Sequence, residues 1–178
     1  MIDNIKSLFF NKSLKRWHFN EIVKETKISR ERINFYLKEL IRENIILRVK
    51  IKNKMPYYIA NTSSSKFRFE KRLYGIKMLE KLFEHINSID EIKTAILFGS
   101  FSRGDWDSSS DIDLFIYGNT KNFNKGKFES VLKKEIQLFD YNNKKKIKKE
   151  LDPKLIPNIL NGFTIKGDLK PLEVEINA

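Results

Sequence analysis

The sixteen residues GSFSRGDWDSSSDIDL, 99–114, constrain the fold of this chain more than any other segment. At their end and just beyond, in Asp111-Ile112-Asp113-Leu114-Phe115-Ile116, the apolar residues Ile112, Leu114 and Ile116 alternate with the two acids. A strand buries the first set on one face and turns both acids to the other. Same-face neighbours lie about 6–7 Å apart along a strand, so Asp111 and Asp113 can converge on one divalent cation. Without a cation they repel each other, which makes a purely structural role uncomfortable. Upstream, Ile92 to Phe98 ends in the unbroken apolar run Ala95-Ile96-Leu97-Phe98 and reads as a buried strand. Gly99-Ser100 follows it, where glycine permits a sharp turn and a close approach to a ligand. Phe101 to Arg103 can then open a short helix whose free N–H groups face outward. Strand, turn and second strand together make an α/β unit able to hold a triphosphate.

Written as spacing, the segment is G-S-x-x-R-G-x-x-x-x-x-S-D-x-D, carried by Gly99, Ser100, Arg103, Gly104, Ser110, Asp111 and Asp113. It resembles the signature of the polymerase-β-like nucleotidyltransferases, particularly their minimal branch. The resemblance implies that Gly99, Ser100, Arg103, Gly104 and Ser110 surround the phosphates of a nucleoside triphosphate while Asp111 and Asp113 hold Mg2+ or Mn2+ against them. An acceptor hydroxyl then attacks the α-phosphorus and pyrophosphate departs. Arg103 reads equally well as a phosphate contact or as a salt bridge to Asp105 or Asp107. Minimal members also occur as antitoxins, which implies a HEPN-type toxin as a further possible partner.

The family usually carries a third carboxylate on a neighbouring strand, and here the corresponding run is Ile136-Gln137-Leu138-Phe139. Gln137 stands where the acid is expected, and an amide can neither accept a proton nor add negative charge to a metal site. Glu135, two residues earlier on the same strand face, is the preferred replacement as third catalytic residue beside Asp111 and Asp113. It also reads as a solvated glutamate at a strand start. Asp140 points to the other face, and Glu173 and Glu175 share a face of a terminal run, Leu172 to Ile176, read as an edge.

The remaining chemistry is bounded by composition. With no cysteine and only His18 and His85 as imidazoles, disulfides, thiolate sites and a structural zinc are excluded, leaving carboxylates to hold any metal. No apolar run reaches membrane-spanning length and the N-terminus lacks a signal-peptide pattern, so a cytoplasmic protein with no membrane partner is expected. The net charge of +12 is unevenly spread: residues 1–66 hold 15 Lys and Arg against 6 Asp and Glu, the rest 20 against 17.

In that basic third, Ile5, Leu8 and Phe9 mark one short helix, and Phe19, Ile22 and Val23 a second over 19–26. Ser29 is placed to N-cap a third helix with a buried stripe of Ile33, Leu37, Leu40 and Ile41. Two β-type runs, 45–51 and 56–59, flank a hairpin tip at Asn53-Lys54-Met55. Three helices followed by a basic hairpin resemble the winged-helix family over residues 1–61. This implies duplex DNA as partner, with Arg30, Arg32, Asn34 and Lys38 of the third helix in a major groove and Arg48, Lys50, Lys52 and Lys54 on phosphates. The same residues also read as solvated faces of a small basic domain.

Asn61 to Ser65 is a small-polar stretch and the expected boundary. The expected architecture is therefore an α/β (α+β) chain: a winged helix-turn-helix with its linker at 1–64, then a small nucleotidyltransferase-fold mixed sheet flanked by helices at 65–178. A long helix from Phe67 to about Ile86 leads into the second domain and is also able to pair two subunits as a homodimer. The basic run 142–150 reads as the exposed start of a helix. The function expected is transfer of a nucleoside monophosphate coupled to DNA binding. The alternative is a DNA-binding regulator or antitoxin-like protein with a catalytically weak domain.

Overall fold

In the computed structural model residues 2–172 are described, and the chain divides into two compact units, Met1–Leu73 and Tyr74–Ala178. In the first, α1 (Ile2–Asn11), α2 (Phe19–Thr26) and α3 (Arg30–Arg42) bury Ile5, Phe9, Ile22, Ile33, Leu37 and Leu40 together. Lys27, in the left-handed conformation, ends α2 by returning its N–H to Val23 O at 3.0 Å, which makes the tight turn into α3. Ser29 takes the N-cap position of α3, though its hydroxyl makes no capping bond.

Strands β1 (Ile46–Val49) and β2 (Tyr57–Ala60) pair antiparallel from Ile46↔Ala60 to Val49↔Tyr57. Trp17 adds a one-residue bridge to Tyr58, closed by two backbone hydrogen bonds of 2.8 Å. A single bridging residue has no alternation to read, so this piece had no signal in the sequence.

The expected long helix is two helices, α4 (Ser65–Met78) and α5 (Glu80–Asn87). Leu79 separates them: fully buried, with ψ near 4°, it returns its N–H to Ile76 O at 3.0 Å, one residue short of the α-helical partner. Helical spacing of apolar residues carries across such a break, because both pieces bury their stripes. The division between units also falls inside α4 rather than in the polar stretch before it. Its first half packs in the first unit, with Phe67 against Phe10 at 5.5 Å between ring centroids, Lys6 on Glu70 at 2.9 Å and Lys71 Nζ on Ser13 Oγ at 2.7 Å.

In the second unit a four-stranded mixed sheet has the order β5-β4-β3-β6. Strand β3 (Ile92–Phe98) lies antiparallel to both β4 (Ile112–Gly118) and β6 (Phe163–Lys166), while β5 (Ile136–Tyr141) runs parallel to β4. Helices cover both faces. On one, α5 packs on β3 and β6, with Phe83 stacked on Phe163. On the other, Ile147 of α8 (Lys144–Glu150) and Ile159 of α9 (Ile156–Leu160) join Ile96, Phe98, Phe115 and Tyr141 in one core. The lysines of α8 stay exposed around that single buried isoleucine.

Between β3 and β4 sits the five-residue α6 (Gly99–Arg103), and between β4 and β5 lies α7 (Lys125–Leu132), which the sequence pattern does not announce. The side chain of Asn124 caps α7 on Lys127 N at 3.1 Å. The run from Leu172 to Ile176, with Glu173 and Glu175, lies outside the described residues apart from its first residue. Among the described residues no helix is long and apolar enough to cross a membrane.

Candidate active site

The alternation in Asp111 to Ile116 forms the strand it predicts, and register brings the site together. In β4, Ile112, Leu114 and Ile116 are fully buried, while Asp113 lies level with Phe98 of β3 on one side and Gln137 of β5 on the other. Asp111 precedes the strand by one residue, and the N–H of Ile112 donates to Glu135 O at 2.9 Å. Toward the helix-covered core, the acid-bearing face continues into Phe115. Asp111 and Asp113 therefore stand at the open end of that face, half-buried.

The turn before them is built around Asp113. Gly99 has φ +66°, and a Cβ placed on it would lie 1.9 Å from Asp113 Oδ2 and 2.8 Å from its Cγ. Only glycine meets both demands at once: it adopts the left-handed conformation and leaves room for the carboxylate. Turn and acid are one site. Gly104, at φ +86°, closes α6 by donating its N–H to Ser100 O at 2.8 Å. Arg103 pairs with Asp105 at 3.1 Å, both exposed, so of the two readings of this arginine the salt bridge is the one formed. Ser110 Oγ accepts from Asp107 N at 2.8 Å and so ties the loop that delivers Asp111.

Burial, then repulsion from Asp111, pushes the Asp113 carboxyl up to about 6, against the pull of Arg103. This is the behaviour of a carboxylate held close to a second one in a half-dry pocket, and a divalent cation relieves both causes. As a donor set the two carboxylates of Asp111 and Asp113 are of the kind that suits one such ion. Among the described residues no group of three or more acidic or imidazole side chains is placed to hold a metal, so Glu135, exposed, does not complete a three-acid cluster. Gln137 is the neighbour instead: its Nε2 donates to Asp111 Oδ2 at 3.0 Å.

Two residues of this site carry no signature. Lys134 spends all three N–H donors on one loop, reaching Asp107 O at 2.9 Å, Ser108 O at 3.1 Å and Ser110 O at 3.0 Å. Its ammonium also lies 5.3 Å from the centre of the Phe101 ring, and burial draws it below its ordinary value against the charges of Asp107 and Asp111. Trp106, fully buried, is stacked between Phe101 at 5.1 Å and Tyr74 at 6.1 Å, where Gly75 leaves space for the indole. A tryptophan amid serines and aspartates was the available sign that this loop is anchored rather than free.

Residues 80–160 match the family model described as polymerase beta, nucleotidyltransferase. This stretch, less than half of the chain, is similar to that family of transferases. The matched span holds the turn, both acids and Gln137. Comparison with curated proteins finds no match. Among solved structures the chain is similar to a mutant form of the toxin–antitoxin pair MntA–HpeT, 20% identical with TM-score 0.35, covering 56% of this chain and 75% of that one. A toxin–antitoxin crystal structure with AMP-PNP is 22% identical with TM-score 0.35, covering 57% and 75%. A nucleotidyltransferase-type protein from Sulfolobus solfataricus is 21% identical with TM-score 0.31, covering 49% and 86%.

The residues expected to meet DNA all lie in the first unit and all are exposed: Arg30, Arg32, Asn34, Lys38, Arg48, Lys50, Lys52 and Lys54. They are not equally available. Arg30 donates to Asn20 Oδ1 at 3.0 Å and covers the Phe19 ring at 5.0 Å, so its guanidinium lies along α2.

Proposed function

We propose that this protein transfers a nucleoside monophosphate from a nucleoside triphosphate to an acceptor hydroxyl, and that its first unit is a winged helix that binds duplex DNA. The observation that carries the first part is the seat at Gly99, where the phosphate turn and the Asp113 carboxylate occupy one space. Gly99 and Ser100 offer backbone N–H groups at the start of α6 to the phosphates, and Asp111 and Asp113 hold Mg2+ or Mn2+. When bound, that ion neutralises charge on the phosphoryl oxygens and orients the attacking group. The acceptor oxygen bonds to the α-phosphorus, the bond to the bridging oxygen breaks, and pyrophosphate leaves. The hydroxyl proton passes to water or to Glu135, the acid nearest in sequence to the β5 end of the site.

Titrating magnesium–ATP into wild type and the Asp111→Asn/Asp113→Asn double variant tests the site. Metal-dependent binding is expected in wild type alone; equal binding by both removes the site.

A second reading is favoured by Gln137. Its amide holds Asp111 where a third acid would otherwise take the proton, so the domain binds nucleotide, or a HEPN-type toxin partner, with little turnover. Wild type that binds magnesium–ATP yet releases no pyrophosphate in the presence of candidate acceptors supports this reading over the first.

For the first unit, support comes from the order of three helices and a hairpin, the one-residue Trp17 bridge to Tyr58 beside that hairpin, and four exposed basic residues on the hairpin. Duplex binding that weakens steeply with salt is expected, and binding unaffected by replacing Lys38 and Arg48 would sink it.

A further inference from the structure

The exposed face of α3 is centred on an aromatic residue, not on a base. At about 100° per residue, Phe35 lies opposite the buried stripe of Ile33, Leu37 and Leu40, with Arg32 and Lys38 about 60° to either side. Asn34 is about 100° from that centre and Arg30 about 140°, toward the stripe, in keeping with its contacts on α2. Phe35 is 60% exposed, and its ring meets that of the neighbouring Tyr36 at 5.6 Å. Two acids share the face, Glu31 and Glu39, and the carboxylate of Glu39 is paired with Arg42. Beyond the helix, the hairpin adds Arg48, Lys50, Lys52 and Lys54, all exposed.

An exposed phenylalanine at the pole of a helix offers apolar area that a partner gains by covering. The positive excess of residues 1–66 favours a polyanion over a protein or a second copy of this chain. In B-form DNA the apolar feature of the major groove is the thymine 5-methyl group, and a phenyl ring is among the side chains that pack on it. We infer that Phe35 reads a thymine methyl in the major groove, with Arg32 and Lys38 beside it on the flanking phosphates or base edges. The inference rests on the DNA-binding reading of the first unit and deepens it by naming the residue that sets sequence preference.

The experiment starts with the full chain and a randomised duplex library, from which preferred sites are selected. Each thymine of the selected site is then replaced in turn by deoxyuridine, which deletes only the methyl, and affinity is read by fluorescence anisotropy. Wild type is expected to lose about four-fold at one position, the factor that burial of a single methyl supplies. Phe35→Ala is expected to bind thymine and uracil duplexes equally, and Phe35→Leu to keep part of the difference. Lys38→Ala should weaken every duplex alike, preserve the thymine-to-uracil ratio and flatten the salt dependence. Because Phe35 is exposed, circular dichroism of its variants should match wild type. Duplex binding with a ratio that Phe35→Ala leaves unchanged overturns this inference alone and assigns the face to a protein contact. No duplex binding at any salt overturns both it and the DNA-binding reading.

Discussion

Replacing Asp113 by asparagine should stabilise the metal-free protein. The Asp113 carboxyl is raised from an ordinary 3.8 to about 6 by burial and by Asp111, so at neutral pH folding holds an anion in a place that disfavours it. A shift of about two units corresponds to about 3 kcal/mol if felt in full, and screening of a half-exposed group leaves about 1–1.5 kcal/mol. That amounts to a rise in melting temperature of about 3–5 °C for a domain of this size. The sign follows from linkage. An acid whose folded pKa is raised favours the fold when protonated and loses that contribution as pH climbs through about 6. The advantage of Asp113→Asn should thus be full at pH 7.5, shrink below pH 6, and nearly vanish at the ordinary value of 3.8. Differential scanning fluorimetry in EDTA across that range reads it directly. Adding magnesium should reverse the order, because the ion stabilises only the protein that binds it. A variant that melts at or below wild type in EDTA at pH 7.5, or a difference that does not change with pH, refutes the account of the site as two crowded carboxylates awaiting a cation.

Gly99→Ala should lose both the fold of the turn and nucleotide binding. The φ of +66° alone costs about 1–2 kcal/mol for a residue with a Cβ, and the 1.9 Å approach of Asp113 Oδ2 forces that carboxylate aside. A calorimetric titration that finds unchanged magnesium–ATP affinity would contradict it. Lys134→Met should free the loop from Asp107 to Ser110, at a cost of about 2 kcal/mol because the three carbonyls regain water in place of a charged donor. Hydrogen exchange of residues 105–111 should accelerate while the sheet stays protected, and uniform protection would show that Trp106 alone holds the loop. Gln137→Glu places a third carboxylate against Asp111, so metal-free stability should fall and Mn2+ affinity rise. Pyrophosphate release should increase at least about ten-fold, the low end for a positioned general base being nearer a hundred. No gain in a variant that binds Mn2+ more tightly would mean that the missing acid is not what limits turnover.

How far the sequence could be read depended on what each residue's chemistry is answerable to. Period-2 alternation around Asp111 and Asp113 has one solution, a strand with both acids on one face, and the register of β4 and β5 places Gln137 level with Asp113, on the neighbouring strand where the family resemblance put it. The three helices of the first unit were equally open, since Ile33, Leu37 and Leu40 bury one stripe and no other arrangement does. The break at Leu79 was not. Its cause is a buried leucine whose N–H changes partner, and apolar spacing is blind to that. Nor was the extent of the first unit, because Ser63 and Ser64 look like a linker while Phe67, Glu70 and Lys71 past them pack on α1 and its following loop. Arg30 shows a similar gap: spacing gives its place on α3 but not its contacts with Asn20 and Phe19.

What divides the two functional readings is the N-terminal edge of β5. Lys134 holds the loop that delivers Asp111, and Gln137, three residues on, holds Asp111 itself. Both contacts fix a carboxylate in position, and neither can take a proton from an attacking hydroxyl, since an ammonium and an amide are donors toward these partners. An edge built this way favours a firm grip on metal and nucleotide over proton abstraction. The rate of transfer should therefore be governed by the acceptor's own acidity, and the pH profile is the measurement that exposes this. A protein base in the carboxylate range gives a rate that levels off above its pKa. Attack by a hydroxyl that ionises only in solution gives a rate still climbing past pH 8. A plateau beginning near pH 6 or below would return the role of base to a protein carboxylate and count against the positioning role of this edge.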